Sequence, residues 1–251
     1  YCQEALPLSI NAAMKELSRE FQVFVKPAGP ACNLGCSYCY YLGNDTLYGQ
    51  GNRFLMADDL LEIYIRQHIE ATTGEPVTFS WHGGEPLLAG TEFYRKAIGF
   101  QHKHNKDGKK IINGIQTNGT LIDSEWCDFL AEEHFTVGIS LDGPERLHDL
   151  FRSAKDGGAT FSRVMSGYDQ LVMSGIDPEI LCVVNSENVK YPAEVYGFFR
   201  QLGAPFVTFI PLVEIQPESP RGVSSRSVPA EAFGTFLCEV FDEWVSAGIG
   251  R

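Results

Sequence analysis

Six short apolar runs alternate with amphipathic segments along this chain, and that alternation limits the fold more than any other feature. The runs are "FQVFVKP" (21–27), "PVTFSWHGG" (76–84), "KIINGIQTNG" (110–119), "FTVGISLDGP" (135–144), "EILCVVN" (179–185) and "PFVTFIPLV" (205–213). Each has strand length and an almost unbroken apolar core, the pattern of strands covered on both faces. Residues 56–71, 91–105, 123–134, 161–174, 191–202 and 230–248 read as helices. In 56–71 the apolar face is expected at Leu60, Leu61, Tyr64, Ile65 and His68. Asp123 or Ser124 is the expected N-cap of the helix over 123–134. Strands alternating with helices imply a parallel sheet with helices over it. Six such units form either a partial (βα)6 barrel or a flat doubly wound sheet, and periodicity does not choose between them. The stretch 214–229, "EIQPESPRGVSSRSVP", has no apolar period and reads as a surface loop or a disordered segment.

In either architecture the chemistry belongs at the carboxyl ends of the strands. The residues after each run fit that expectation. The first run leads into "CNLGCSYCYYLG" (32–43), the second ends at "HGGEP", the third at "QTNG", the fourth at "SLDGP" and the fifth at "VNSEN". Polar and glycine-rich residues therefore collect on one rim.

The first of these loops holds Cys32, Cys36 and Cys39. A structural zinc site takes four ligands, commonly from two C-x2-C pairs. Here one such pair is preceded by a single extra cysteine, and no second pair occurs in the 251 residues. A four-iron cluster is normally held by four thiolates. Three would leave one iron open to a substrate or cofactor. Buried structural cysteines, or a zinc site completed by a histidine, are the alternatives. The other four cysteines are scattered; Cys127, Cys182 and Cys238 fall on expected apolar faces and read as core, and Cys2 lies near the start. An odd count of seven in a chain of this length suggests a reducing cytoplasm rather than a disulfide framework.

Composition narrows the partners. Apolar content of 44% and charged content of 21% suit an ordinary soluble globular protein, and 251 residues suffice for one large α/β domain or two small ones. A formal net charge of −12 argues against binding a nucleic-acid backbone. No run of about 18 apolar residues occurs, so no transmembrane helix is expected. The chain opens on Tyr1 and not on Met, which is compatible with a removed signal peptide. Asp142, Gly143 and Pro144 read as turn chemistry. His102, Lys103 and His104 read as a solvated helix face, and His68 and His134 have no ligand spacing.

C-x3-C-x2-C with an aromatic residue before the last cysteine (Tyr38), together with "GGEP" (83–86), resembles the radical S-adenosylmethionine superfamily. The resemblance implies a partial barrel of six βα units over 21–251, after an N-terminal extension over 1–20. It implies a [4Fe–4S] cluster on Cys32, Cys36 and Cys39, with S-adenosylmethionine on the open iron. Gly83 and Gly84 would present backbone groups to the methionine moiety, and Glu85 would accept from its amine or brace the loop. His82 occupies a slot that is often Gln. Ser140 matches a ribose or carboxylate contact, Arg152 a partner of the cofactor carboxylate, and Tyr38 and Leu212 would flank the adenine.

"KPAGPACNLGCSYCYYL", "WHGGEPLLAG", "IQTNGTLI", "VGISLDGP" with "HDLFR", "ILCVVN" and "FIPLVE" resemble the anaerobic sulfatase-maturating enzymes from about Phe21 onward. That resemblance implies oxidation of a Cys or Ser of a sulfatase polypeptide to formylglycine by a 5′-deoxyadenosyl radical. It also implies an electron donor such as ferredoxin or flavodoxin, and no nucleic-acid or membrane partner. Tyr41 matches a substrate contact; Gln116 and Asn118 share the rim and are expected to line the peptide site. The family carries a C-terminal cysteine-rich (SPASM) region with two auxiliary [4Fe–4S] clusters and the catalytic aspartate. This sequence stops at Arg251 without those cysteines. A shortened chain that cleaves cofactor but does not complete the oxidation is expected, with no general base of its own. A thioether-forming peptide maturase, a non-catalytic zinc module and a regulatory protein are the alternatives.

Overall fold

The computed structural model describes residues 21–41, 55–220 and 222–248. The expected extension over 1–20 lies outside the described residues. Six strands, β1 (Phe24–Val25), β2 (Val77–Trp81), β3 (Ile111–Thr117), β4 (Thr136–Ser140), β5 (Glu179–Val184) and β6 (Val207–Pro211), pair in parallel in the order β1-β2-β3-β4-β5-β6. A doubly wound sheet reverses its order at a switch point. Here every strand pairs only with its neighbours in sequence, so each right-handed crossover steps the same way and the helices share one face. The strand order therefore selects the partial (βα)6 barrel that periodicity left undecided.

The helices are α1 (Asp58–Ala71), α2 (Thr91–His104), α3 (Ser124–Glu132), the short α4 (Glu145–His148), α5 (Phe161–Met173), α6 (Pro192–Leu202) and α7 (Ala230–Ser246). They pack in sequence order, α1 on α2, α2 on α3, α3 on α5 and α6 on α7. On α1 the buried face is Leu61, Ile65, His68 and Ile69, while Leu60 is more than half exposed. The expected face was thus one residue too wide at its start, because neighbours in sequence point about 100° apart around a helix. Asp123 is the N-cap of α3, accepting from Trp126 N at 3.0 Å. The first strand is two residues, shorter than the apolar run suggested, because the chain turns at Lys26–Gly29.

Aromatic rings fill the space between β2, α2 and α3. Trp81 meets Phe93 and Tyr94 edge-on, and Tyr94 in turn meets Trp126 and Phe135. One polar group sits within this layer, at Asn113 on β3. Its Oδ1 accepts from Trp81 Nε1 at 3.0 Å and Gln101 Nε2 at 2.8 Å, and its Nδ2 donates to Gln101 Oε1 at 2.9 Å. The trio is satisfied within itself, which is the condition for burying amides cheaply.

Two expectations change and one is met. Cys127 and Cys182 are core, but Cys238 is exposed: α7 buries only Phe236 and Val240, and its next residues face out. The stretch 214–229 is the surface loop expected, with an Ile215–Val223 bridge and an Arg226–Glu214 ion pair at 2.9 Å across it. Lys103 and His104 are not simply solvated, since both reach Glu62 Oε1, at 2.5 and 2.8 Å, linking α2 to α1. Among the described residues no helix is long and apolar enough to cross a membrane.

Gln101→Leu strands the Asn113 amide N–H in the core. Stability should fall by about 1–3 kcal/mol, read as a lower urea midpoint with an unchanged slope.

Candidate functional site

Parallel pairing places the carboxyl ends of all six strands on one rim, and the cysteine loop lies across it. Beyond β1 the chain turns through Gly29, whose φ is +56°, with Gly29 N donating to Lys26 O at 3.0 Å. Two rim segments then clasp the loop. On one side Gly35 N donates to Ser153 O and Ser37 N to Phe151 O, both at 2.8 Å, and Leu34 bridges Ala154. On the other, Gly84 N donates to Gly29 O at 3.0 Å and Glu85 N to Ala31 O at 2.8 Å. A Cβ at position 84 would collide with the carbonyl oxygens of Pro30 and Ala31. Gly83 has φ +137°, a conformation that favours glycine. The need for glycine at 84 is therefore the crossing of two backbones, and its N–H is already taken by the loop.

Glu85 is fully buried and accepts from Leu87 N (3.0 Å), Thr117 Oγ1 (2.7 Å) and Asn118 N (2.8 Å). Burial, only partly offset by the three donors, leaves its carboxyl raised to about 7. Of the two roles open to it, the geometry gives the brace, tying the end of β2 to the end of β3.

Asn118 comes directly after β3 and turns toward the cysteine loop. Its Nδ2 donates to Asn33 Oδ1 at 2.9 Å and lies 3.7 Å from Cys32 Sγ. Thr120 closes a ring: its N and Oγ1 donate to Asn118 Oδ1 at 2.9 and 2.7 Å, and its Oγ1 accepts from Asn33 Nδ2 at 2.8 Å. Gln116, also expected to line a peptide site, donates instead to Ser140 Oγ at 3.2 Å across β3 and β4.

Asp142 corrects the reading of "LDGP" as turn chemistry alone. It has no exposed surface, and its carboxylate gathers four donors. Arg152 Nε and Nη2 donate at 2.8 and 3.0 Å, Tyr38 OH at 2.5 Å and Val183 N at 2.9 Å. Burial opposes the charge on Arg152, but Asp142 beside it raises its pKa overall. One edge of the guanidinium, Nε and Nη2, is thus spent on Asp142, and Nη1 is not part of that pair. The Tyr38 hydroxyl is engaged in the same network, and its ring lies 5.5 Å from the guanidinium.

The remaining expected residues sit at the rim with simpler surroundings. His82 donates its N–H to Val25 O and sets its ring edge-on to Phe24; burial and then Lys26 lower its pKa. Leu212 is buried, its backbone paired with Val184 and Val228. Tyr41 packs against Tyr40, with the two hydroxyls 2.7 Å apart and Lys26 Nζ 4.4 Å from the Tyr41 ring.

A model of the radical SAM superfamily matches residues 27–199. The chain belongs to the radical SAM superfamily. It is 40% identical over 247 residues to a serine-type anaerobic sulfatase-maturating enzyme of Bacteroides thetaiotaomicron, covering 93% of this chain and 59% of that one. It is 36% identical over 222 residues to a cysteine-type anaerobic sulfatase-maturating enzyme of Clostridium perfringens, covering 88% and 60%. The solved structure of native anSMEcpe with bound AdoMet and Cp18Cys peptide superposes with a TM-score of 0.79 at 36% identity, over 88% of this chain and 59% of that one. The chain thus spans about three-fifths of the length of these relatives.

The cysteine loop of this radical SAM chain fits the cluster that the superfamily implies. All three thiols are free, and Leu34 N donates to Cys32 Sγ at 3.3 Å. N–H groups aimed at sulfur are the usual outer partners of iron-bound thiolates. Burial raises the Cys32 thiol to about 11 and also raises Cys36, where Arg152 pulls it back. Cys32 and Cys36 therefore hold their protons at neutral pH, and a metal cluster that takes them as ligands would displace those protons. Among the described residues no three His, Cys, Asp or Glu side chains gather to hold a single metal ion.

Sequence reasoning missed His148, Asn33 and Thr120, and it set Asp142 aside. A strand-end aspartate with an arginine ten residues later was the available signal for the ion pair. His148 is fully buried, and its Nδ1 accepts from Asp142 N at 3.3 Å. Its Nε2 therefore carries the proton and donates to Thr160 Oγ1 at 3.1 Å. Both nitrogens are satisfied in the neutral ring. Burial first, then Arg152, lowers its pKa to about 4. The unfolded chain binds this proton more tightly, so the contribution of His148 is present above about pH 6.5 and lost as the pH falls toward 4. His148→Gln keeps an acceptor and a donor without the titration. Urea unfolding across that window should show a shallower loss of stability in the variant than in the parent.

Proposed function

We propose that the chain is the radical-generating core of an anaerobic sulfatase-maturating enzyme, acting on a Cys or Ser side chain of a sulfatase polypeptide. The observation that carries this reading is the three-cysteine loop clasped between "HGGEP" and residues 151–154 on the carboxyl rim. Serine-type and cysteine-type sulfatase-maturating enzymes among the relatives support the substrate class. When bound, a [4Fe–4S] cluster supplies one electron to S-adenosylmethionine, and so the 5′-deoxyadenosyl radical that takes a substrate hydrogen.

The chain's own residues hold and orient. Cys32, Cys36 and Cys39 hold the cluster. Gly83 leaves backbone open beside it, and Glu85 keeps that backbone at a fixed distance from the loop. Arg152, held rigid by Asp142, offers its free edge to the cofactor carboxylate, since a planar fork suits a carboxylate. His82, Ser140, Tyr38 and Leu212 complete the cofactor side. Tyr41 and Gln116 stand on the substrate side. A reduced ferredoxin or flavodoxin in the cytoplasm supplies electrons. The auxiliary clusters and the base belong to the part of the relatives' length that this chain does not span.

Anaerobic reconstitution and then dithionite reduction test the reading. A [4Fe–4S]⁺ resonance should form, shift on adding S-adenosylmethionine, and release 5′-deoxyadenosine. Cys36→Ala should abolish all three; zinc in place of iron in the parent chain would overturn the assignment. Arg152→Lys keeps a cation for Asp142 but loses the fork, and should weaken S-adenosylmethionine binding by about 1.5–3 kcal/mol. Calorimetric titration measures it, and an unchanged affinity removes Arg152 from the cofactor site.

A further inference from the structure

We infer that Asn118 is a positioning residue for the cluster: its side-chain N–H donates to Cys32 Sγ and raises the cluster's reduction potential. The inference rests on the cluster reading above. It also departs from the expectation that Asn118 lines a peptide site, because the side chain turns toward the cysteine loop.

Three observations carry it. The first is orientation. Thr120 N lies 2.9 Å from Asn118 Oδ1, and a backbone N–H only donates, so that atom is the amide oxygen. The NH₂ end must then be the one facing Asn33 Oδ1 at 2.9 Å and Cys32 Sγ at 3.7 Å. The second is rigidity. Asn118 is buried; its backbone N is held by Glu85 Oε2 at 2.8 Å, and its side chain is locked in the ring with Thr120 and Asn33. The amide has few orientations available other than the one seen. The third is the chemistry of the sulfur. As a free thiol, Cys32 makes a weak contact to Asn33 Oδ1 at 3.9 Å. A ligated thiolate has no proton to donate, so Leu34 N and Asn118 Nδ2 become the groups that interact favourably with it.

Reduction adds negative charge to the cluster and its sulfurs. An N–H dipole fixed on one of those sulfurs stabilises the reduced form more than the oxidised form, which raises the potential. The Leu34 donor is backbone and moves with the loop wherever it goes. The Asn118 donor comes from the next strand but one, so it tunes the sulfur and also holds the cysteine loop against β3.

A redox titration read by electron paramagnetic resonance, on the anaerobically reconstituted 251-residue chain, tests this with three variants. Asn118→Ala removes the donor and the ring. Asn118→Asp keeps the acceptor for Thr120 N but has no donor. Thr120→Val opens the ring and leaves the donor. With matched iron content, both Asn118 variants should titrate at lower potential than the parent, and Thr120→Val near it. A tenfold change in the oxidised-to-reduced ratio at fixed potential corresponds to about 59 mV for one electron. Coincident potentials for Asn118→Ala and the parent would overturn the inference. So would an equal fall in Thr120→Val, which would assign the effect to rigidity alone. If neither Asn118 variant holds a cluster, pulsed resonance on Asn33→Asp labelled with ¹⁵N-asparagine decides, since Asn118 is then the one labelled asparagine among the residues named at Cys32: a hyperfine coupling upholds the contact and its absence refutes it. A parent chain with no cluster at all defeats the cluster reading itself. That result is distinct from a cluster that forms and is indifferent to position 118.

Discussion

The bidentate pair between Arg152 and Asp142 is the contact on which the rim depends. Two opposite charges taken out of water lose their hydration, and their attraction alone often fails to restore the balance. Here the carboxylate has further partners. Tyr38 OH and Val183 N join the two guanidinium donors, so its lone pairs are met from the cysteine loop, from β5 and from the segment after α4. Removing one donor would leave a buried charge under-solvated, and removing Asp142 would leave a buried guanidinium. The pair therefore specifies where Tyr38 lies, and Tyr38 is the residue next to Cys39. The geometry of the cysteine loop is set from outside the loop.

Electrostatics around the loop point in a consistent direction. Two buried carboxyls flank it, Glu85 on the β2 side and Asp142 on the β4 side, and Glu85 adds to the raised pKa of Cys32. Burial is the larger cause at both Cys32 and Cys36. Such a loop resists holding thiolates alone and accepts them when a polycation arrives. Arg152 tempers this at Cys36, the most buried of the three thiols. The unevenness makes the three positions inequivalent before any cluster binds, and a cluster held there meets a different environment at each corner.

Much of this was legible in the sequence, and the failures share a cause. The six apolar runs marked six strands because parallel strands under helices are apolar on both faces. They could not give strand order, which depends on how crossovers step and leaves no mark on periodicity. The cysteine spacing was visible because metal ligands must be close in sequence when they share a loop. Asp142 was set aside because Gly143 and Pro144 explain a turn by themselves; the side chain's four donors come from three residues, Tyr38, Arg152 and Val183, on three segments that local reading does not connect. Gly84 was expected for the right reason in general, backbone approach, but the approaching group is the Pro30–Ala31 backbone. Cys238 read as core because α7 is apolar on more than one face, and only Phe236 and Val240 of it are buried.

The two motifs that point to the superfamily turn out to be one mechanical unit, and Asn118 is the reason. Its backbone N–H completes the shell of Glu85, the residue that closes "GGE", while its side chain reaches the loop that carries Cys32. Glu85 N in turn donates to Ala31 O, one residue before Cys32. The path from Cys32 through Ala31, Glu85 and Asn118 back to Cys32 is closed, and each step is a hydrogen bond or a covalent neighbour. Displacement of either motif strains the other through bonds already made. A chain with the cysteines alone would have a loop free to choose its depth above the sheet. A chain with both motifs has that depth fixed by β2 and β3, strands that pair in parallel and are further joined by the Trp81–Asn113 side-chain hydrogen bond.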